Sequence, residues 1–214
     1  MRLFSVVGIS SSGKTTTIEH IIRELRQRGY SVGSVKEIHF QDFAIDLPGS
    51  NTHRHREAGS QLVTARGFTE TDILFQRELS MEEILLHYDY DFVALEGVSE
   101  LAVANIITAH TPQEVAERRS EHSFAVSGRL AHHQREIEGL PAYSVLEGEE
   151  RLRELVDLVE RKATAYRPPH SYALEGQPLS VRQNMLLSLA LGRLQGCRSL
   201  CELDETSYGQ EARR

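Results

Sequence analysis

Short apolar runs alternate along this chain with stretches whose apolar residues recur at helical spacing. The runs RLFSVV (2–7), FVAL (92–95), NIITA (105–109) and SFAVS (123–127) predict buried strands, SVGSVK (31–36) a shorter one, and AYSVL (142–146) one more. FVAL is apolar at every position, as expected of a parallel strand covered on both faces. Between them, Ile18, Ile21, Ile22 and Leu25 share one helical face that Gly29 terminates, and Leu152, Leu155, Val156 and Val159 share another. Ser80 with Glu83 predicts a capped helix through about His87, and Thr111, Pro112 and Glu114 predict a further helix start with Pro at its first position. THRHREAG (52–59) predicts a short helix, and LVTARGFTETDILF (62–75) a hairpin around Gly67. Strands alternating with helices imply a mostly parallel α/β sheet.

The strand at the start runs directly into GISSSGKTTTIEH (8–20), where Gly8, Gly13, Lys14 and Thr15 stand at G-x-x-x-x-G-K-T spacing before an amphipathic helix. That context is the one a phosphate-binding loop requires: glycines let backbone N–H groups converge on phosphate oxygens, and the helix N-terminus adds favourable partial charge. Gly8, Ser10, Ser11, Ser12, Gly13, Lys14, Thr15 and Thr16 are therefore the candidate nucleotide-binding residues. Lys14 is expected at the β- and γ-phosphates, and Thr15 to offer its hydroxyl to Mg²⁺. A second metal contact is expected from an acid at the exit of a neighbouring strand. Asp91 and Glu96 bracket FVAL about 16 Å apart, so only one can reach the metal. Glu96, at the exit, is the candidate, with Gly97 after it permitting close backbone approach. The expected fold is a P-loop NTPase three-layer sandwich over residues 1–164, followed by a partly helical appendage over 165–214 with one helix from about Ser180 to Leu194.

Composition narrows the class further. With 24 Lys and Arg against 31 Asp and Glu, the net charge is −7, which argues against a broad nucleic-acid-binding face. No apolar run approaches the roughly 20 residues of a spanning helix, and the Leu3–Val7 stretch belongs to the mature fold and is no secretory signal. The two cysteines, Cys197 and Cys201, offer no disulfide framework, so a soluble protein of the reducing cytoplasm is expected. Ten histidines, including His53 with His55 and the pair His132-His133, lack zinc-signature spacing and read as surface or loop histidines.

A longer segment gives the loop a family. DLPGSNTHRHREAG (46–59), following VKEIHFQDFAI (35–45), together with LEGVSE (95–100), resembles the molybdopterin-guanine dinucleotide biosynthesis protein B family. Lys36, His39, Asp46, Pro48, Gly49, Thr52, Arg54, Arg56, Glu57, Ala58 and Gly59 match its pattern in kind and order. The resemblance covers roughly residues 1–162. It implies a GTP-binding homodimeric accessory protein with weak GTPase activity at most, which assists the molybdopterin guanylyltransferase and other molybdenum cofactor enzymes, with GTP and Mg²⁺ as its ligands. It also adds Asp46, Arg54 and Arg56 to the cofactor-binding candidates. A guanidinium there could clamp a phosphate or carboxylate, although Arg54 and Arg56 diverge on a helix and at most one faces a given ligand. The chain departs from the family at Glu37 and Asn51, and it has no NKxD motif for guanine. Two other functions use such a loop: a small phosphoryl-transfer kinase, for which Arg118 and Arg119 are the candidate lid arginines, and a metal-insertion GTPase.

Overall fold

The computed structural model describes residues 1–40 and 43–167, and the backbone of 173–174 and 177–178. In chain order the elements are β1 (Arg2–Gly8), α1 (Lys14–Gln27), β2 (Val32–Lys36), α2 (Asn51–Glu57), β3 (Leu62–Arg66), β4 (Thr71–Phe75), α3 (Met81–Leu85), β5 (Phe92–Glu96), β6 (Asn105–Thr108), α4 (Pro112–Arg118), β7 (Ser123–Ser127), β8 (Glu136–Ile137), β9 (Leu140–Pro141), α5 (Glu149–Lys162), β10 (Thr164–Ala165), β11 (Ala173–Leu174) and β12 (Gln177–Pro178). They divide into two units. One comprises residues 1–80 and 90–166; the other comprises 81–89 and the segment from 167 onwards. Within the second unit, α3 is a short helix and β11 pairs antiparallel with β12. The appendage helix expected near 180–194, and both cysteines, lie outside the described residues.

The first unit is built on a parallel sheet in the order β2-β5-β1-β6-β7. The pairing follows from the apolar runs: strands buried on both faces must occupy the middle of a sheet, and every residue of β5 is buried. Successive residues then serve opposite layers. Phe4, Val6, Phe92, Ala94, Ile106 and Ala125 pack with Ile18, Ile21 and Leu25 of α1 and Leu155, Val156 and Val159 of α5. On the other face Ile107 and Val126 pack with Val115 of α4 and with Ala131, Ile137, Leu140 and Ala142. This is an α/β fold of the P-loop kind with a mostly parallel sheet between helices.

Three details depart from the sequence reading. The AYSVL segment forms no strand of its own: Ala142 makes a single parallel bridge to Val126, and Tyr143 donates its N–H to the Val126 carbonyl. The chain arrives there from the small β8–β9 hairpin, and Val145 is spent on the core rather than on a ladder. The helix expected to reach His87 is assigned only over Met81–Leu85, with turn geometry beyond it. Finally, β10 adds an antiparallel partner to β1 through Arg2↔Ala165 and Leu3↔Thr164, a pairing too short to leave a periodic signal.

Candidate functional site

The parallel register brings the exits of five strands to one edge. Lys36 pairs with Glu96, Glu96 with Val6, Gly8 with Thr108, and Thr108 with Ser127. The loop from Gly8 to Gly13 is built against this edge so closely that side chains are excluded. A Cβ on Gly8 would lie 2.0 Å from the Thr108 carbonyl oxygen, and one on Gly128 would lie 2.3 Å from the Ser12 carbonyl oxygen. Gly13, at φ 108°, approaches Gly128 in turn, where an added Cβ would stand 2.9 Å from its Cα. Gly128 is therefore as necessary to the loop as its own glycines. Ser11 takes the left-handed conformation at φ 59°, a cost of the kind that persists where surrounding structure enforces it.

Gly13 is also the N-cap of α1. It offers no side-chain acceptor, and the first turn contains no acidic residue. The helix N-terminus therefore presents its N–H groups and partial positive charge to the cleft, the arrangement that receives an anion. Lys14 folds back to donate to the carbonyls of Gly8 at 2.9 Å and Ile9 at 2.6 Å. Its pKa is lowered, first by burial, against which Glu96 acts, with Lys36 and Arg118 adding like-charge repulsion. The opposite charge of a phosphate would offset both effects.

Thr15 Oγ1 donates to Glu96 Oε1 at 2.7 Å, so the two residues expected at the metal are in contact. The same oxygen accepts from Lys36 Nζ, also at 2.7 Å. An octahedral Mg²⁺ with bonds of about 2.0–2.1 Å spaces adjacent oxygens about 2.9 Å apart, so Thr15 and Glu96 fit the ion after a small opening. The Lys36 ammonium is the cation that stands beside them. Asp91, at the other end of β5, serves a different purpose: its carboxylate accepts the Ser31 N–H and hydroxyl, both at 2.8 Å.

The cleft around these groups has a volume of about 730 Å³ and is lined by Gly8, Ser10, Ser11, Gly13, Lys14, Thr15 and Thr16 together with Lys36–Phe40, Phe43, Glu96, Gly97 and Arg129. Ser12 is absent from its wall. Its hydroxyl is buried, donating to the Ile9 carbonyl and sharing a 2.7 Å hydrogen bond with Thr108 Oγ1, so it braces the loop. Asp46, Arg54 and Arg56 do not line the cleft either. Asp46 Oδ1 accepts the hydroxyls of Ser50 and Thr52, which hold its carboxyl below the usual range, and Arg56 stands 3.8 Å from Asp46 Oδ2 while donating to Gln76. Asp46 and Arg56 belong to an internal scaffold that closes the loop onto α2, where Ser50 caps the helix by accepting the His53 N–H, while Arg54 is exposed on α2. Arg129 and the position of Lys36 were the features the linear motif could not supply. Of the candidate lid arginines, Arg118 donates to the Glu114 carbonyl one turn back, and Arg119 to the Glu138 carbonyl.

The family resemblance rested on the segment from Val35 to Gly59 and on LEGVSE beside the phosphate loop. A family model described as MobB, molybdopterin guanine dinucleotide synthesis protein B, matches residues 3–127. The chain belongs to the MobB family. The molybdopterin-guanine dinucleotide biosynthesis adapter protein of Escherichia coli is 28% identical over 137 residues, 58% of this chain and 77% of that protein. A Methanocaldococcus jannaschii relative is 32% identical over 103 residues, 47% of this chain but only 42% of that protein. Among solved structures, Bacillus subtilis MobB superposes with a TM-score of 0.63 at 21% identity, covering 78% of this chain and the whole of that one. The MobB homologue of Bacillus stearothermophilus gives 0.57 at 20% identity over 76% of this chain and all of that one. The MobB match thus covers the strand edge from β1 through β7 that carries the cleft. No helix among the described residues is long and apolar enough to cross a membrane.

Proposed function

We propose that this MobB-family chain is a GTP-binding adapter in the conversion of molybdopterin to its guanine dinucleotide form, hydrolysing GTP slowly at most. The observation that carries the reading is the meeting of Thr15 and Glu96 at 2.7 Å beside a cationic stand-in, directly below a loop shaped for phosphates. Gly8 to Gly13 and the α1 N-terminus would receive the phosphates, Lys14 would leave its two carbonyl partners for them, and Thr15 and Glu96 would hold Mg²⁺, whose charge neutralises phosphate oxygens. Arg129 would add a guanidinium to the far wall. Support for the pathway is family membership and the names of the relatives. Partners would be the guanylyltransferase and other molybdenum cofactor enzymes, with a second copy of this chain as the expected dimer mate. Slow hydrolysis is what the family resemblance implies; among the described residues of the wall the groups able to take a proton are Glu37, His39 and Glu96, and Glu96 is engaged by Thr15 and Lys36.

The test is to titrate GTP and ATP against the purified protein with and without Mg²⁺. GTP binding that strengthens with Mg²⁺ and is lost in Lys14→Ala is the expected result. Equal or tighter ATP binding would refute guanine selectivity, and formation of a phosphorylated metabolite from labelled ATP would move the protein to the kinases.

A further inference from the structure

Away from the cleft, the turn that follows β7 brings two adjacent histidines to a carboxylate 14 residues further along the chain. His133 adopts φ 57°, in the left-handed region where histidine is enriched among the non-glycine residues that enter it. The His132 N–H bonds to the Arg129 carbonyl and the Gln134 N–H to the Ala131 carbonyl, which tightens the turn. The two neighbouring imidazoles consequently lie together, with centroids 3.9 Å apart and planes tilted by 44°. Both Nδ1 atoms face one oxygen, Glu147 Oε1, at 3.4 Å from His132 and 3.1 Å from His133. Glu147 comes from the segment just before the Gly148 N-cap of α5, and its side chain is only 15% exposed.

Hydrogen bonding alone explains this arrangement poorly. Oε1 already accepts the backbone N–H of His133, so two ring donors would make three N–H groups on one oxygen. Two protonated imidazoles at this distance would also repel each other. A metal ion removes both difficulties, because neutral imidazoles then present lone pairs rather than protons. Four ligands at about 2.0–2.1 Å around a tetrahedral Zn²⁺ stand about 3.3–3.4 Å apart, close to the two separations seen here. All three ligand atoms lie within 4.8 Å of one another.

We propose that His132 Nδ1, His133 Nδ1 and Glu147 Oε1 form a surface site for a borderline divalent metal ion of the Zn²⁺ type, with its remaining position open to solvent. Two imidazoles and a carboxylate select Zn²⁺, Co²⁺ or Ni²⁺ over Mg²⁺, so the site is chemically separate from Thr15 and Glu96 and stands whether or not the chain binds GTP. Arg135 and Arg151 line the same cavity and oppose a cation. Arg151 is partly neutralised by Glu154 at 2.8 Å and lies over the Tyr143 ring. The expected affinity is therefore modest.

Equilibrium dialysis of the untagged full chain against Zn²⁺, with Co²⁺ absorption as a second probe, tests this. One ion per chain is expected. His132→Ala and Glu147→Gln should each weaken binding at least tenfold, by order of magnitude. His133→Asn should do the same while preserving the left-handed turn, and a melting curve verifies that each variant folds. Glu96→Gln should leave Zn²⁺ binding unchanged. Absence of stoichiometric Zn²⁺ binding, or retention of full affinity in folded His133→Asn, overturns the site.

Discussion

Replacing Glu96 with Gln separates the metal role of this carboxylate from its part in stability. In the structure it is one member of an ion pair with Lys36, whose side chain is 54% exposed against 10% for Glu96. With its Lys36 end open to solvent the pair contributes about 1 kcal/mol, and a glutamine amide can still accept the Thr15 hydroxyl. Thermal stability should therefore change little. The effect on Mg²⁺ is larger. A carboxylate and a divalent ion 4 Å apart attract by about 2 kcal/mol even at the dielectric of water, and by more in a partly dehydrated cleft. At 1.4 kcal/mol per factor of ten, the Mg²⁺ concentration for half-maximal strengthening of GTP binding should rise about 30-fold or more. A fluorescent GTP analogue titrated over a Mg²⁺ series measures this midpoint, and a melting curve on the same samples measures stability. An unchanged Mg²⁺ midpoint would remove Glu96 from the metal, and a collapse of the melting temperature would make its role structural.

Two further outcomes follow from other parts of the unit. Gly8→Ala puts a methyl 2.0 Å from the Thr108 carbonyl oxygen at φ 153°, so overpacking and backbone strain together should cost about 2–5 kcal/mol; a urea midpoint equal to that of the parent would contradict the close approach. The Asp91 carboxylate is held below its ordinary 3.8 mainly by the Ser31 N–H and hydroxyl. A depressed folded pKa gives stabilisation that is complete above the unfolded value and is withdrawn as the pH falls through the folded one. The stability gap between the parent and Asp91→Asn should accordingly close in acid, and a gap that stays constant from neutral to acidic pH would refute the linkage.

What was legible in the sequence was whatever repeats or touches its own neighbours. The apolar runs gave β1, β5, β6 and β7, the 3.6-residue stripes gave α1 and α5, and Thr111, Pro112 and Glu114 gave the start of α4, where the structure also forms a capping box. Glu96 could be placed because strand exits share an edge, and it meets Thr15 as expected. Contacts that depend on strand order were hidden. Lys36 reaches Glu96 because β2 lies beside β5, although 60 residues separate them. Ser12 looked like a ligand-facing loop residue, yet Thr108 on the adjoining strand draws its hydroxyl inward. Asp46 and Arg56 were site candidates through the family resemblance, whereas the nearby hydroxyls and Gln76 engage them locally. His132 and His133 gave no metal signature because their carboxylate partner is 14 residues away and the turn that joins them leaves no periodic trace.

The central position of β1 has a consequence for how the protein comes into being. Its ladder partners are β5, β6 and β10, the first of which begins 90 residues after Arg2 and the last 162 residues after it. At a ribosomal rate of roughly 5–20 residues per second, the Phe92 partner of Arg2 is made on the order of 5–20 s after it. Through that interval an apolar strand destined for the middle of the sheet has no ladder to join, only α1 to lean on. Pairings this distant in sequence also slow refolding in the test tube. β1 is thus made long before it can be fully paired, and nascent chains arrested before β5 should be the ones that engage chaperones or aggregate.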